Sequence, residues 1–217
     1  MNLFCDEKEY GDDYDAVFKL CQLKKNDLFI DIGANLGQEI EYFSDQGLRV
    51  DSWEPHPELY KHLQLKYEAC ENVTLNNAAV FDSNSNKTLY FREDPHERIG
   101  KMGTPHGFVK NEVWNDIGST LIPEKQGISG MWGCEVQCVD IVDIIKKADN
   151  QVKILKIDVE GAEYHILRRL IETNLIHVPE FVFFEDHARK VNTLEFSENK
   201  NFVQDFVAST NFKFYIW

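Results

Sequence analysis

Short runs of apolar residues alternate with amphipathic stretches along most of this 217-residue chain. Continuous apolar runs of about four to eight residues read as buried strands, and apolar residues recurring at three- and four-residue spacing read as helices. The pattern predicts a helix over 13–23, strands at 28–32, 49–54 and 73–80 with helices 36–46 and 57–69 between them, and a short strand at 87–92. Strand 135–139, helix 140–148, a strand ending at Asp158, helix 161–173, strand 181–185, helix 194–209 and a last strand 213–217 complete the order. Such alternation predicts an α/β fold with a doubly wound, mostly parallel sheet and helices on both faces. Residues 93–133 break the pattern and hold seven of the twelve glycines. No linker or repeat divides the chain, so 1–217 reads as one domain with 93–133 as an insertion.

Two segments carry candidate chemistry. The first, Asp31-Ile32-Gly33-Ala34-Asn35-Leu36-Gly37, joins a predicted strand to a predicted helix. Gly33 and Gly37 permit a tight turn and close approach of a ligand, and Asn35 tolerates positive φ. Glu54 ends the next strand, where an acid lies beside the glycine turn and can accept hydrogen bonds from ribose hydroxyls. The G-x-G-x-x-G that presents backbone amides to a pyrophosphate is missing. Asp31 instead puts a carboxylate before the turn, which favours an amino-bearing or cationic ligand such as S-adenosylmethionine over NAD.

The second segment is Leu155-Lys156-Ile157-Asp158-Val159-Glu160-Gly161-Ala162-Glu163, which delivers Asp158 to the carboxyl end of a strand. Phe181-Val182-Phe183-Phe184-Glu185-Asp186-His187 repeats the arrangement. If those strands are neighbours, about 4.8 Å apart, Asp158, Glu185 and His187 converge. They are the candidate catalytic groups for removing a proton, and Asp158 and Glu185 are candidate ligands for a divalent cation, Mg²⁺ or Mn²⁺.

Taken together, the glycine turn, Glu54-Pro55, Asn77-Ala78-Ala79-Val80, Gly118-Ser119-Thr120-Leu121, Asp140-Ile141-Val142-Asp143 and Lys156 to Glu163 resemble the FkbM-type methyltransferases, over about Asp27 to His187. The resemblance implies a class I, Rossmann-like fold dependent on S-adenosylmethionine, with methyl transfer to an oxygen, often a sugar hydroxyl. It also implies that Asp31, Gly33, Asn35 and Gly37 line the methionine portion of the cofactor, Glu54 holds its ribose, and Asn77 and Ala78 edge its adenine. A class I sheet normally finishes with two strands, whereas this chain has one after its last helix.

The glycine-rich stretch is the expected acceptor side. Trp114 and Trp132 offer flat rings on which a sugar can stack, His96 and His106 could supply a base, and His106 and Ser119 are further candidate acceptor contacts. An NAD-dependent oxidoreductase or epimerase is the rival enzyme, disfavoured by the missing G-x-G-x-x-G and Tyr-x-x-x-Lys pair. A binding module that kept the fold without activity is the rival outside catalysis.

Composition narrows the partners. A net charge of −14 and a pI of about 4.9 argue against nucleic acid, because phosphate binding needs clustered Lys and Arg. The five cysteines form no CxxC pair, the acidic start has no apolar leader, and no apolar run reaches membrane length. A cytoplasmic protein away from membranes is expected. Phe212 to Trp217 reads as an apolar strand at an open sheet edge, which predicts a homodimer through that edge. The alternative is a monomer in which Met1 to Tyr14 folds back over it.

Overall fold

The computed structural model describes residues 4–11, 13–92, 118–128, 130, 132–149 and 151–217. The chain opens with strand β1 (Phe4–Glu9) and helix α1 (Tyr14–Leu20), which Asp13 caps by accepting from the Ala16 amide at 3.1 Å. Then come β2 (Leu28–Ile32), α2 (Gln38–Asp45), β3 (Arg49–Trp53), α3 (Pro57–Tyr67) and β4 (Val73–Asn76). Next are β5 (Ala79–Phe81), β6 (Ser85–Tyr90), β7 (Gly133–Asp140), α4 (Ile141–Lys147) and β8 (Val152–Ile157). The chain closes with α5 (Glu163–Glu172), β9 (Phe181–Phe184), α6 (Leu194–Thr210) and β10 (Phe214–Ile216).

Seven strands form one sheet in the order β1, β10, β9, β8, β2, β3, β4, and every neighbouring pair is parallel. Both faces are covered, which is why the central strands read as near-continuous apolar runs rather than alternating ones. On one face Ile30, Ile32, Leu155 and Ile157 pack with Ile144 of α4, Tyr164 and Leu167 of α5, and Phe196 and Val203 of α6. On the other, Phe29, Val50, Ile154 and Phe183 pack with Val17 of α1, Ile40 and Phe43 of α2, and Leu63 of α3. The doubly wound α/β class expected from the sequence is thus the observed one. Among the described residues no helix is long and apolar enough to cross a membrane.

Two expectations are corrected. The predicted strand 73–80 is two strands, because the chain leaves the large sheet at Asn77. Val73–Asn76 pairs with β3, whereas Ala79–Phe81 enters a separate three-stranded sheet in the order β5, β7, β6. An apolar run records burial and not the partner strand, so the switch left no mark in its pattern. The other correction concerns the C-terminal strand, which is not an open edge. Strand β10 lies between β9 and β1, with the Tyr10 amide donating to the Ile216 carbonyl at 3.1 Å. The acidic start, for which no strand was expected, supplies the outer strand and removes the edge on which the homodimer reading rested.

Covering β10 is therefore the task of β1. A chain lacking residues 1–11 should expose the β10 edge and gain mass by self-association relative to the full chain, as an uncovered aromatic strand does. Light scattering at matched concentration reads the difference, and equal masses would mean that β1 is dispensable as a cover.

Candidate functional site

The carboxyl ends of β2, β3 and β8 open onto one cleft of about 650 Å³, counting its open mouth. Turn residues after β2 form its floor. Gly33 has φ +94°, and a Cβ there would stand 1.8 Å from the Asp158 carbonyl oxygen, so no other residue fits. The Gly33 and Ala34 amides donate to the Trp53 carbonyl at 3.0 and 3.1 Å, which ties the turn to β3. Asn35, with φ +47°, lines the cleft and donates its amide to Glu54 Oε2 at 2.8 Å. Its side-chain Oδ1 is buried without a hydrogen-bond partner among the described residues.

Glu54 forms the next wall. Its Oε1 accepts from the His56 amide at 2.8 Å, and burial pushes its carboxyl up to about 7 against the pull of the two amide hydrogen bonds. His56 in turn caps α3, accepting from the Glu58 amide at 3.2 Å, and burial holds its ring down at about 4, so the accepting nitrogen keeps its lone pair. Asn77 braces this corner by donating to the Glu54 and Pro55 carbonyls at 2.9 and 3.4 Å. Ala78 faces the cleft beside Glu54 and Pro55. Gly37 faces elsewhere: a Cβ there would meet Leu63 at 2.7 Å, and Tyr67 Oη donates to its carbonyl at 2.7 Å. Its freedom serves the packing of α2 on α3.

Asp31 lies beneath the cleft and not in its lining. Its carboxylate is fully buried, accepts from Ser52 Oγ at 2.8 Å and pairs with Lys156 Nζ at 3.2 Å. Lys156, given no role in the sequence reading, is the hub of this layer. Its Nζ also donates to the Gly33 carbonyl at 3.2 Å and lies 3.8 Å from both Glu39 and Asp158. Burial disfavours its charge, but Asp31, Glu39 and Asp158 outweigh this and hold its pKa above the ordinary lysine value. Its signal in the sequence was a lysine inside the apolar run Ile154 to Ile157, where a charge survives only with a buried partner.

Asp158 stands on the opposite wall with Val159 and Glu160. Burial pushes its carboxyl up to about 7, opposed by Lys156 and reinforced by Glu185. Behind it, His187 is buried between carboxylates. Nδ1 contacts Glu163 at 2.9 Å, and Nε2 contacts Glu160 at 3.0 Å and Glu185 at 3.2 Å. Burial alone would discharge the ring, yet Glu160, Glu163 and Glu185 raise its pKa to about 12 and favour its charged form. In return His187 and then Lys125 hold the Glu160 carboxyl well below the usual range against its burial, and His187 lowers that of Glu185. One ligand atom each from Asp158, Glu185 and His187 lies within 4.8 Å of the others.

The segment after 117 is stapled onto this wall. Lys125, buried, donates to Glu160 Oε2 at 2.5 Å and to the Gly118 carbonyl at 2.9 Å, while Thr120 Oγ1 donates to the Glu160 carbonyl at 2.7 Å. Gly118 and Ser119 thereby reach the cleft. Trp132 does not: its carbonyl accepts from the Phe91 amide at 2.9 Å, and its ring packs partly buried on the small sheet. His96, His106 and Trp114 lie outside the described residues.

A parallel seven-stranded sheet whose carboxyl ends carry a glycine turn, an acid on the next strand and a second acid across the cleft is a class I methyltransferase-like architecture. Over residues 31–213 the chain matches the methyltransferase FkbM domain, and it belongs to that family of methyltransferases. No curated protein and no solved structure matches it.

Lys156→Met should cost about 3–5 kcal/mol in chemical denaturation, since it strands a buried Asp31 carboxylate, and Asp31→Asn in the same chain should restore part of that. A loss no larger than that of a surface lysine would deny Lys156 its role. Glu54 sets a pH dependence. Its folded-state pKa of about 7 lies above the ordinary 4.5, so the folded protein holds the proton more tightly. Its contribution is complete below 4.5 and lost as pH rises to about 7. Glu54→Gln should flatten the fall in stability across that window, and an unchanged slope would contradict the assignment.

Proposed function

We propose that this methyltransferase moves a methyl group from S-adenosylmethionine to a hydroxyl of a sugar or glycan acceptor, with Asp158 as the base. The observation that carries the reading is the Asp158 carboxylate itself. It lies in the cleft wall across from Asn35 and Glu54, at the end of β8, with a pKa raised to about 7. A base poised near neutrality takes a proton from a hydroxyl most effectively at working pH.

The cleft suits the cofactor on several counts. Glu54 is a buried acceptor for ribose hydroxyls, Leu59, Ala78 and Ala79 give apolar walls for a base, and Asn35 Oδ1 is an unmatched acceptor for an ammonium or hydroxyl. S-adenosylmethionine supplies a methyl group already activated by its sulfonium. What remains for the protein is to align the acceptor oxygen with that carbon and to receive the proton as the C–O bond forms and the C–S bond breaks. Asp158 receives it. His187, favoured in its charged form by its carboxylate neighbours, supports the ionised forms of Glu160 and Glu185 beside it.

Ser119 in the cleft wall supports an acceptor site on that side, and the glycine-rich composition of 93–133 supports reading it as the acceptor-side part of a single catalytic unit. A wall of carboxylates favours a neutral sugar over a phosphorylated or carboxylated one. Asp158 and Glu185, each with a carboxylate oxygen close to the other, could also hold Mg²⁺ or Mn²⁺. Such an ion would lower the pKa of the acceptor hydroxyl. The free thiols of Cys21, Cys70, Cys134 and Cys138 support a reducing, cytoplasmic setting.

Calorimetry with S-adenosylmethionine and NAD, and methyl release over a sugar panel, test this reading. NAD binding in place of S-adenosylmethionine would overturn it. Asp158→Asn should keep cofactor affinity near wild type and lower turnover by a factor of about 10². Wild-type turnover should rise with pH through about 7 as Asp158 ionises, and the variant should lose that limb. Retained activity in Asp158→Asn would move the base elsewhere. Loss of activity in EDTA, restored by Mg²⁺ or Mn²⁺, would establish the ion-assisted form.

A further inference from the structure

Lys125 is a buried ammonium that the chemistry proposed above does not use. Its Nζ bridges two residues of the cleft wall, donating to Glu160 Oε2 at 2.5 Å and to the Gly118 carbonyl at 2.9 Å. A methionine would fill much of the same space without taking a charge out of water, so packing alone does not explain a lysine there. Thr120, also buried, makes a second link to the same residue, its Oγ1 donating to the Glu160 carbonyl at 2.7 Å. Glu160, strained at φ +58°, is thus gripped both at its carboxylate and at its backbone.

The neighbouring restraints decide what this clamp does. The loop that presents Asp158 is held without it, since the buried Glu163 accepts from the Val159 amide at 3.2 Å and from the Gly161 amide at 3.0 Å. The clamped segment is docked on β6 independently, because Thr120 and Tyr90 exchange backbone hydrogen bonds at 2.8 and 3.0 Å. Gly118 lies two residues beyond that pairing, at φ +107°, and Lys125 fixes its carbonyl. Loss of the clamp therefore shifts Gly118 and Ser119 relative to Asp158 while both frames stay in place.

We propose that Lys125 and Thr120 are positioning residues for methyl transfer: clamped on Glu160, they set the Gly118–Ser119 wall at the separation from Asp158 that seats the acceptor hydroxyl. The inference rests on the reading of Asp158 as the base for a sugar hydroxyl. Neither side chain lines the cleft, so each acts through the wall it holds. Alignment of oxygen, methyl carbon and sulfur is the main thing the protein supplies, and a small displacement of the wall lowers the rate steeply.

Steady-state kinetics on the panel sugar that the wild type methylates fastest, alongside calorimetry with S-adenosylhomocysteine, test the clamp. Lys125→Met should raise the KM for that sugar about tenfold and lower kcat about tenfold, while the dissociation constant for S-adenosylhomocysteine stays within about twofold of wild type. Thr120→Val removes one hydrogen bond from a nearly isosteric side chain and leaves the Glu160 carboxylate paired, so it decides the matter if Lys125→Met fails to fold. It should show the same split at about threefold to fivefold. Wild-type sugar kinetics in either folded variant overturn the inference, as does a loss of S-adenosylhomocysteine affinity equal to the rise in the sugar KM. A wild type that methylates no sugar of the panel overturns the acceptor reading, and the inference with it, before any variant is made.

Discussion

Lys156 and Asp31 form the buried ion pair on which the cleft rests. Both side chains are shut off from water, where each alone would be strongly disfavoured, so each makes the other tolerable. The pair does more than cancel charge. By donating to the Gly33 carbonyl, Lys156 fixes the turn whose backbone presses against the Asp158 carbonyl, and its positive charge opposes the rise in the Asp158 pKa. The floor of the cleft and the wall that carries Asp158 are therefore set by one ammonium group.

Charge is graded across the site with a chemical consequence. Beneath the floor, Asp31 is matched by Lys156. Behind Asp158, Glu160, Glu163 and Glu185 surround His187, and Lys125 pairs with Glu160. Between these compensated layers stand Glu54 and Asp158, the two cleft carboxyls with values raised to about 7. Their environments thus push these two carboxyls apart from the ion-paired acids around them.

Glu160 shows how the two halves of the cleft are joined. It adopts φ +58°, costly for a side-chain-bearing residue, directly before Gly161 at φ +120°. That conformation aims its carboxylate at His187 and Lys125, and Lys125 carries the Gly118 carbonyl with it. A segment from the glycine-rich stretch is thus fastened to the β8 to α5 loop, and the Gly118–Ser119 wall of the cleft is positioned by the same loop that presents Asp158.

The sequence by itself determined the alternation of strands and helices, the glycine turn, and the placing of Glu54 and Asp158 at strand ends, because each depends on local backbone preference or on the period of apolar positions. Only the tertiary structure decided which strands pair. It moved Ala79–Phe81 into a second sheet, brought β1 from the far end of the chain to cover β10, and set the Trp217 ring 5.7 Å from Lys156 Nζ. It also decided what each charged residue does. Asp31, which stands before the turn, forms a buried ion pair with Lys156, and His187 is surrounded by three carboxylates that raise its pKa. Pairing and charge state are set by neighbours distant in sequence, and periodicity carries no record of those distances.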